Sequence, residues 1–153
     1  MKKQCKRKIW PTNINPIAHA ISGAAISDDA ALNKLRLCEL SAIDSMTKGV
    51  GTPEDFRWLC DVINIGETMG KNEIGPEILP HCQEAQDELL KAAKRYQETK
   101  KMVLSGIGIR AIKEVWAYHE AQRTSVARSE YEKAIKQTAN KIRSRANDVV
   151  EIT

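Results

Sequence analysis

Apolar side chains recur every three or four positions through most of this chain, and this spacing is the feature that most constrains its fold. Ala31, Leu35, Cys38, Ala42 and Met46 follow one another at this interval. The interval places apolar residues on one side of an α-helix. No segment alternates apolar and polar residues for long, and the hairpin dipeptides Asn-Gly and Asp-Gly do not occur. The pattern therefore predicts an all-α protein.

Helix starts are marked by side chains that can accept hydrogen bonds from the first free amides of a helix. Such signals occur at Asn15-Pro16, Ser27-Asp28-Asp29, Thr52-Pro53, Ser105 and Ser129. They predict helices over about 16–23, 27–47, 53–69, 81–100, 107–124 and 129–146, with KNEIGPEILP as a linker before the fourth. Gly66 falls inside the third of these segments, where it indicates either a close helix contact or an early helix end.

Amphipathic helices of this length bury their apolar stripes against one another. We therefore expect a compact bundle of about five main helices plus a short N-terminal helix. Residues 11–153 would form a single helical domain, and residues 1–10 a basic, flexible tail. Four aromatic residues inside predicted helices are expected in the core: Trp58, Tyr96, Trp116 and Tyr118.

No motif of known chemistry occurs in the chain. The phosphate loop, the nucleophile elbow and the HExxH zinc motif are all missing. The three histidines are scattered, and none of the four cysteines forms a CxxC pair. We therefore expect no enzyme activity, no cofactor and no metal. Cys38, Cys60 and Cys82 are expected to behave as small buried hydrophobic residues, and Cys5 to be exposed in the tail.

The charge distribution is polarised, although the net charge is only +4. Residues 1–8 carry five basic and no acidic side chains, residues 54–88 carry nine acidic against two basic, and residues 123–147 carry seven basic against two acidic. A basic surface for nucleic acid or another partner is predicted at Lys6, Arg7, Lys8, Lys133, Lys136, Lys141, Arg143 and Arg145. An acidic surface for a protein partner is predicted at Glu73, Glu77, Glu84, Asp87 and Glu88.

Ordinary structure explains the same charges in another way. The last predicted helix would expose a solvated basic face whose charge complements the helix dipole, and the N-terminal run would be a solubilising tail. No apolar run is long enough to span a membrane, and no apolar segment of a secretory signal follows the basic start. We therefore expect a cytoplasmic protein that binds no membrane.

Several stretches resemble small proteins of bacterial phages, plasmids and integrated elements, some of which are labelled Fis-type transcriptional regulators. These stretches include LRLCELSAIDSMTKGVGTPEDFRWLCDVINIGETM, IGPEILPHCQEAQDELLKAAKRY and SEYEKAIKQTANKIRSR. The resemblance implies a protein of a mobile element that acts by binding. A helix-turn-helix could form only around RTSVARSEYEKAI, where the predicted helices are longer than that motif usually has.

Two functional hypotheses follow. The first is a non-enzymatic protein that docks on a host protein, such as a defence nuclease, as an inhibitor or adaptor. The second is a DNA-binding regulator that uses the basic tail and the last helix. A dipolar body could also associate with itself head to tail.

Overall fold

The computed structural model describes residues 29–145, which form five α-helices joined by short loops. In chain order the helices are α1 Asp29–Lys48, α2 Pro53–Lys71, α3 Leu79–Thr99, α4 Gly106–Ser125 and α5 Arg128–Ser144, with one 3₁₀ turn, Pro76–Ile78, before α3. Within these residues the only extended pairing is an isolated antiparallel bridge between Gly51 and Met102. The predicted all-α bundle is confirmed, whereas the predicted helix at 16–23 and the basic tail lie outside the described residues.

Two of the predicted helix starts have the expected cap chemistry. The hydroxyl of Thr52 accepts from the Asp55 amide at 3.2 Å, and the Asp55 carboxylate accepts from the Thr52 amide at 2.8 Å. This reciprocal capping box begins α2, with Pro53 in the first turn. Ser105 begins α4 by accepting from the Gly108 amide at 3.0 Å. Both predictions are confirmed.

Two other helices begin one or two residues before their predicted starts. Helix α3 begins at Leu79 because Pro80 falls in the first turn, where a helix needs no amide donor. Helix α5 begins at Arg128, and its N-cap residue Ala127 has no side-chain cap. The predicted capping box at Ser129 does not form, since Glu132 instead accepts from Arg128 at 3.2 Å, one turn earlier on the same helix.

Helix α2 is the centre of the bundle and contacts each of the other four helices. One side of it joins a core cluster with α1, α3 and α4 that includes Met46, Leu59, Leu89 and Ile112. A second cluster connects α1, α2 and α5 through Leu35, Ile65, Met69, Tyr131, Ala134, Ile135 and Ala139. The four aromatic residues predicted for the core pack against these clusters but stay partly exposed: Trp58, Tyr96, Trp116 and Tyr118.

Gly66 marks a close contact and not a helix end. Helix α2 continues past it to Lys71, and a Cβ at Gly66 would lie 2.8 Å from Cδ1 of Ile78 in the 3₁₀ turn. The small residue therefore lets the connection to α3 pack directly on α2.

Helices α4 and α5 meet at Val126 and Ala127 and have 20 and 17 residues, respectively. The expectation of long helices around this turn is confirmed. No helix within residues 29–145 has the length and apolar character needed to cross a membrane.

Candidate binding surfaces

The predicted basic residues of α5 lie mainly on its solvent side. Lys133, Lys136, Asn140 and Arg143 are exposed, and they lie opposite the buried Tyr131, Ala134, Ile135 and Thr138. We call these four exposed residues the basic face. Lys133 and Lys136 form no ion pair with any other described residue, so their charge is not neutralised within this part of the chain. Arg145 is exposed just after α5, and Lys6, Arg7 and Lys8 lie outside the described residues.

Lys141 differs from the basic face because it is half-buried and faces α2. Its ammonium lies 3.4 Å from a carboxylate oxygen of Glu67, whose other oxygen accepts from Lys71 at 2.6 Å. Gln86 of α3 also donates to Glu67, at 3.1 Å. Burial alone would raise the pKa of Glu67, but these three donors outweigh it and lower that pKa. Glu67 thus joins α2, α3 and α5.

A polar groove opens beside this ion cluster. It has a volume of about 270 Å³ and lies between the C-terminal end of α2 and the second half of α5, lined by Thr68, Lys71, Asn72, Gln137 and Lys141. The side-chain amide of Asn72 donates to the side-chain oxygen of Gln137 at 2.6 Å. Below the groove, the hydroxyl of Thr138 donates to that of Thr68 at 2.7 Å and fixes the spacing of the two helices.

Four of the five residues predicted for an acidic surface are exposed. Glu73 and Glu77 lie in the connection between α2 and α3, and Glu84 and Asp87 lie in the first turns of α3. We call these four residues the acidic surface. Asp87 accepts from Gln83 at 3.2 Å, whereas the other three carboxylates form no ion pair with any described residue.

Glu88 does not belong to that surface, and its predicted position on an exposed acidic face was wrong. It is only 5% exposed. Its carboxylate accepts from Lys91 at 2.6 Å and from the Ser105 hydroxyl at 2.9 Å, and these bonds lower its pKa. Because Ser105 caps α4, Glu88 connects α3 to the start of the next helix.

The loop that displays Glu73 is held in place from below by Gln122 of α4. The Gln122 amide donates to the carbonyls of Ile74 at 2.8 Å and Gly66 at 3.1 Å. Its oxygen lies 3.2 Å from Nδ1 of His119, so this nitrogen carries the imidazole proton. Burial and the nearby Arg123 guanidinium lower the pKa of His119 to about 3, which keeps the ring neutral.

A buried ion pair connects α1 and α4 and was not predicted. Arg123 donates to both carboxylate oxygens of Glu39, at 2.6 and 3.0 Å, and both residues are buried. Trp116 also donates to Glu39, at 3.1 Å, and Glu120 accepts from Arg123 at 2.8 Å. The burial of Glu39 could have been predicted from its position, because it lies on the same helix side as the apolar residues Leu35 and Met46. Arg123 likewise follows His119 by four positions.

Burial keeps the thiols of Cys60 and Cys82 protonated by raising the pKa of each. Cys82 is buried, its sulfur lies 3.7 Å from the Ile63 carbonyl, and burial raises its pKa to about 12. Burial also raises the pKa of Cys60, even though part of that residue is accessible to solvent. Cys38 and Cys60 are half-buried, so of the three cysteines predicted to be buried only Cys82 is fully so.

His81 and Cys82 are adjacent but face different neighbours. His81 stacks on Tyr118 of α4 with ring centroids 4.8 Å apart, and its Nδ1 lies 3.6 Å from Glu114. Cys82 points toward α2. Residues 29–145 contain no group of three or more His, Cys, Asp or Glu side chains arranged to hold a metal ion.

Comparison with known proteins adds no relative on which to base an assignment. The chain matches no protein-family model, no curated protein and no solved structure.

Proposed function

We propose that this chain is a non-enzymatic protein of a phage or mobile element that docks on a cytoplasmic host protein as an inhibitor or adaptor. The observation that carries the proposal is the acidic surface. Glu73, Glu77 and Glu84 are exposed and are not neutralised by any described residue. Such a surface is complementary to a basic one, like that of a protein that handles nucleic acid, including a defence nuclease.

Hydrogen bonds from the body of the bundle hold the loop that carries Glu73. Glu73 has a left-handed backbone, with φ of 63°, and the next turn passes through Gly75 with φ of 58°. Gln122 holds the carbonyl of Ile74 between these two residues. A surface fixed before binding loses less conformational entropy when its partner binds.

The buried reactive groups have structural roles that agree with a non-enzymatic function. His119 is neutral and hydrogen-bonded to Gln122, and the Cys82 thiol is protonated against a backbone carbonyl. A cysteine nucleophile needs the opposite environment, which lowers its pKa.

Charge reversal tests the docking proposal. The immobilised protein is exposed to a bacterial lysate, and captured proteins are identified by mass spectrometry. We expect Glu73→Lys/Glu77→Lys/Glu84→Lys to lose a captured protein that the unmodified chain retains. A control with exposed acids reversed elsewhere, Glu98→Lys/Glu130→Lys, should keep it. Equal capture by the triple variant would contradict the proposal.

A second candidate function is binding to DNA as a regulator, and the basic face favours it. Its three cations and Asn140 lie on one exposed side of α5. Lys133 and Arg143 are ten residues apart, or about 15 Å along a helix axis. Side chains of these types contact phosphates, which occur about every 3.4 Å of axis along one DNA strand. The tail residues Lys6, Arg7 and Lys8 would add attraction without reading sequence.

Fluorescence anisotropy with a labelled duplex tests this second candidate. We expect Lys133→Gln/Lys136→Gln/Arg143→Gln to weaken binding and to reduce the slope of log affinity against log salt by roughly one for each phosphate that is no longer neutralised. Lys94→Gln/Lys101→Gln/Lys113→Gln makes the same charge change at exposed lysines elsewhere and should bind more tightly than the first variant. Equal binding by the two variants would contradict a role for the basic face.

A further inference from the structure

The polar groove contains more positive than negative charge. Lys71 and Lys141 approach the same carboxylate, Glu67, from different helices. Burial and the neighbouring Lys71 ammonium lower the pKa of Lys141. One carboxylate therefore faces two lysine ammoniums, and an additional anion here would relieve their mutual repulsion.

The groove also has hydrogen-bond donors to spare. The carbonyl oxygen of Gln137 accepts from Asn72, so the amide NH₂ of Gln137 remains available to an acceptor from outside. Each lysine ammonium has three donors and uses only part of them on Glu67. A phosphate group presents several acceptor oxygens with negative charge, which matches this lining in both respects.

The groove is continuous with the basic face. Gln137 follows Lys133 by four positions on α5, and Lys141 follows Gln137 by another four, so both are neighbours of the exposed row along the helix surface. A ligand with one phosphate would occupy only the groove. A chain of regularly spaced phosphates could occupy the groove and extend along the exposed row.

We propose that the polar groove binds one phosphate of a nucleic-acid backbone, while the basic face contacts adjacent phosphates. The proposal rests on the second candidate function and adds to it a specific contact made by Lys71, Gln137 and Lys141. Glu67 orients both lysines, and it also competes with the incoming phosphate for them.

The test begins with inorganic phosphate as the probe. Backbone amide signals of the full chain are followed by NMR while phosphate is added, with chloride at matched ionic strength as the reference. We expect saturable shifts around residues 68–72 and 137–141. Lys141→Gln and Gln137→Glu should weaken phosphate binding at least fivefold, whereas Lys133→Gln, which removes the same charge outside the groove, should change it less than twofold.

Glu67→Gln provides a test in the opposite direction. If the lysines are available to phosphate, removing the competing carboxylate should tighten phosphate binding severalfold. If the lysines serve only to hold Glu67 and the helix end, this variant should leave phosphate binding unchanged or weaker. The second result would overturn the site, as would shifts identical to those caused by chloride, or equal losses in Lys141→Gln and Lys133→Gln.

Anisotropy with a labelled duplex then tests the source of the phosphate. Gln137→Glu should weaken duplex binding at least fivefold, and phosphate should compete with the duplex for the unmodified chain. If the duplex binds equally to Gln137→Glu, the groove assignment fails while DNA binding by the basic face stands. If phosphate binds but the duplex does not, both the nucleic-acid occupant and the second candidate function fail.

Discussion

Single buried polar residues decide how the helices of this bundle align. Arg123 holds Glu39 with two parallel hydrogen bonds, a geometry that accepts only one relative position of α1 and α4. Burial would lower the pKa of Arg123, but the carboxylate of Glu39 raises it, so the guanidinium stays charged. Such a pair adds specificity more reliably than stability, because both charges lose their hydration.

Removing one partner of this pair should be much worse than removing both. We expect Arg123→Met to lower the free energy of unfolding by about 3–5 kcal/mol, because Glu39 is left buried without its cation. Glu39→Leu/Arg123→Met should recover most of that loss. Urea denaturation of the two single variants and the double variant measures the coupling, and additive losses would contradict a direct dependence between the two residues.

His119 makes stability depend on pH. Its folded pKa of about 3 lies below the ordinary histidine value of about 6.5, so the unfolded chain binds the extra proton first. The contribution of His119 is therefore fully present above about pH 6.5 and declines as the pH falls toward 3. Between pH 7 and pH 5 we expect this group to lower the free energy of unfolding by about 2 kcal/mol.

Urea denaturation at pH 7 and pH 5 checks this dependence. His119→Gln should be less sensitive to this pH change than the unmodified chain, whatever its stability at pH 7. Gln122→Ala serves as the control, because it removes the hydrogen bond to His119 but keeps the imidazole. An unchanged pH dependence in His119→Gln would show that other groups cause it.

At the scale of elements, α2 determines how closely its neighbours can approach. A Cβ at Gly70 would lie 2.9 Å from Cγ2 of Ile78 and 2.9 Å from Cδ2 of Leu79. Two branched side chains therefore occupy the space next to this glycine, and the turn into α3 rests on the end of α2.

Alanine substitutions at two glycines separate packing from helix propensity. Gly70→Ala should lower the free energy of unfolding by about 1–3 kcal/mol, because overpacking outweighs the helix-propensity gain of roughly 1 kcal/mol. Gly106→Ala has no heavy atom within 4 Å of the added Cβ and should be neutral or slightly stabilising. Thermal or urea unfolding of both variants measures the difference, and equal effects would argue against the close contact at Gly70.

At the scale of the whole molecule, we expect the basic charge of residues 2–8 and the stability of the core to depend on different parts of the chain. Both core clusters are formed by side chains of the five described helices and the segments between them. Residues 2–8 contain five of the 24 basic residues, and the rest of the chain carries 19 basic and 20 acidic side chains.

Deleting residues 2–8 should therefore leave cooperative thermal unfolding and the Tm unchanged, while weakening any binding to DNA. Circular dichroism during heating measures the first effect, and fluorescence anisotropy measures the second. A lower Tm or loss of cooperative unfolding would show that this segment also contributes to the packed core.

The sequence by itself determined the helical class, the number of main helices, the starts of α2 and α4 and the exposed row on α5. These depend on interactions between residues a few positions apart, such as the Thr52–Asp55 cap and the spacing of Tyr131 and Ile135. Only the tertiary structure decided that Glu88 accepts from the Ser105 hydroxyl at the start of α4, that Arg123 lies buried on Glu39 and that Lys141 meets Glu67 beside a groove. Each of these contacts depends on which helices pack together. The residues around Arg123 in the sequence are the same whether its guanidinium is solvated by water or bound to Glu39, 84 positions away.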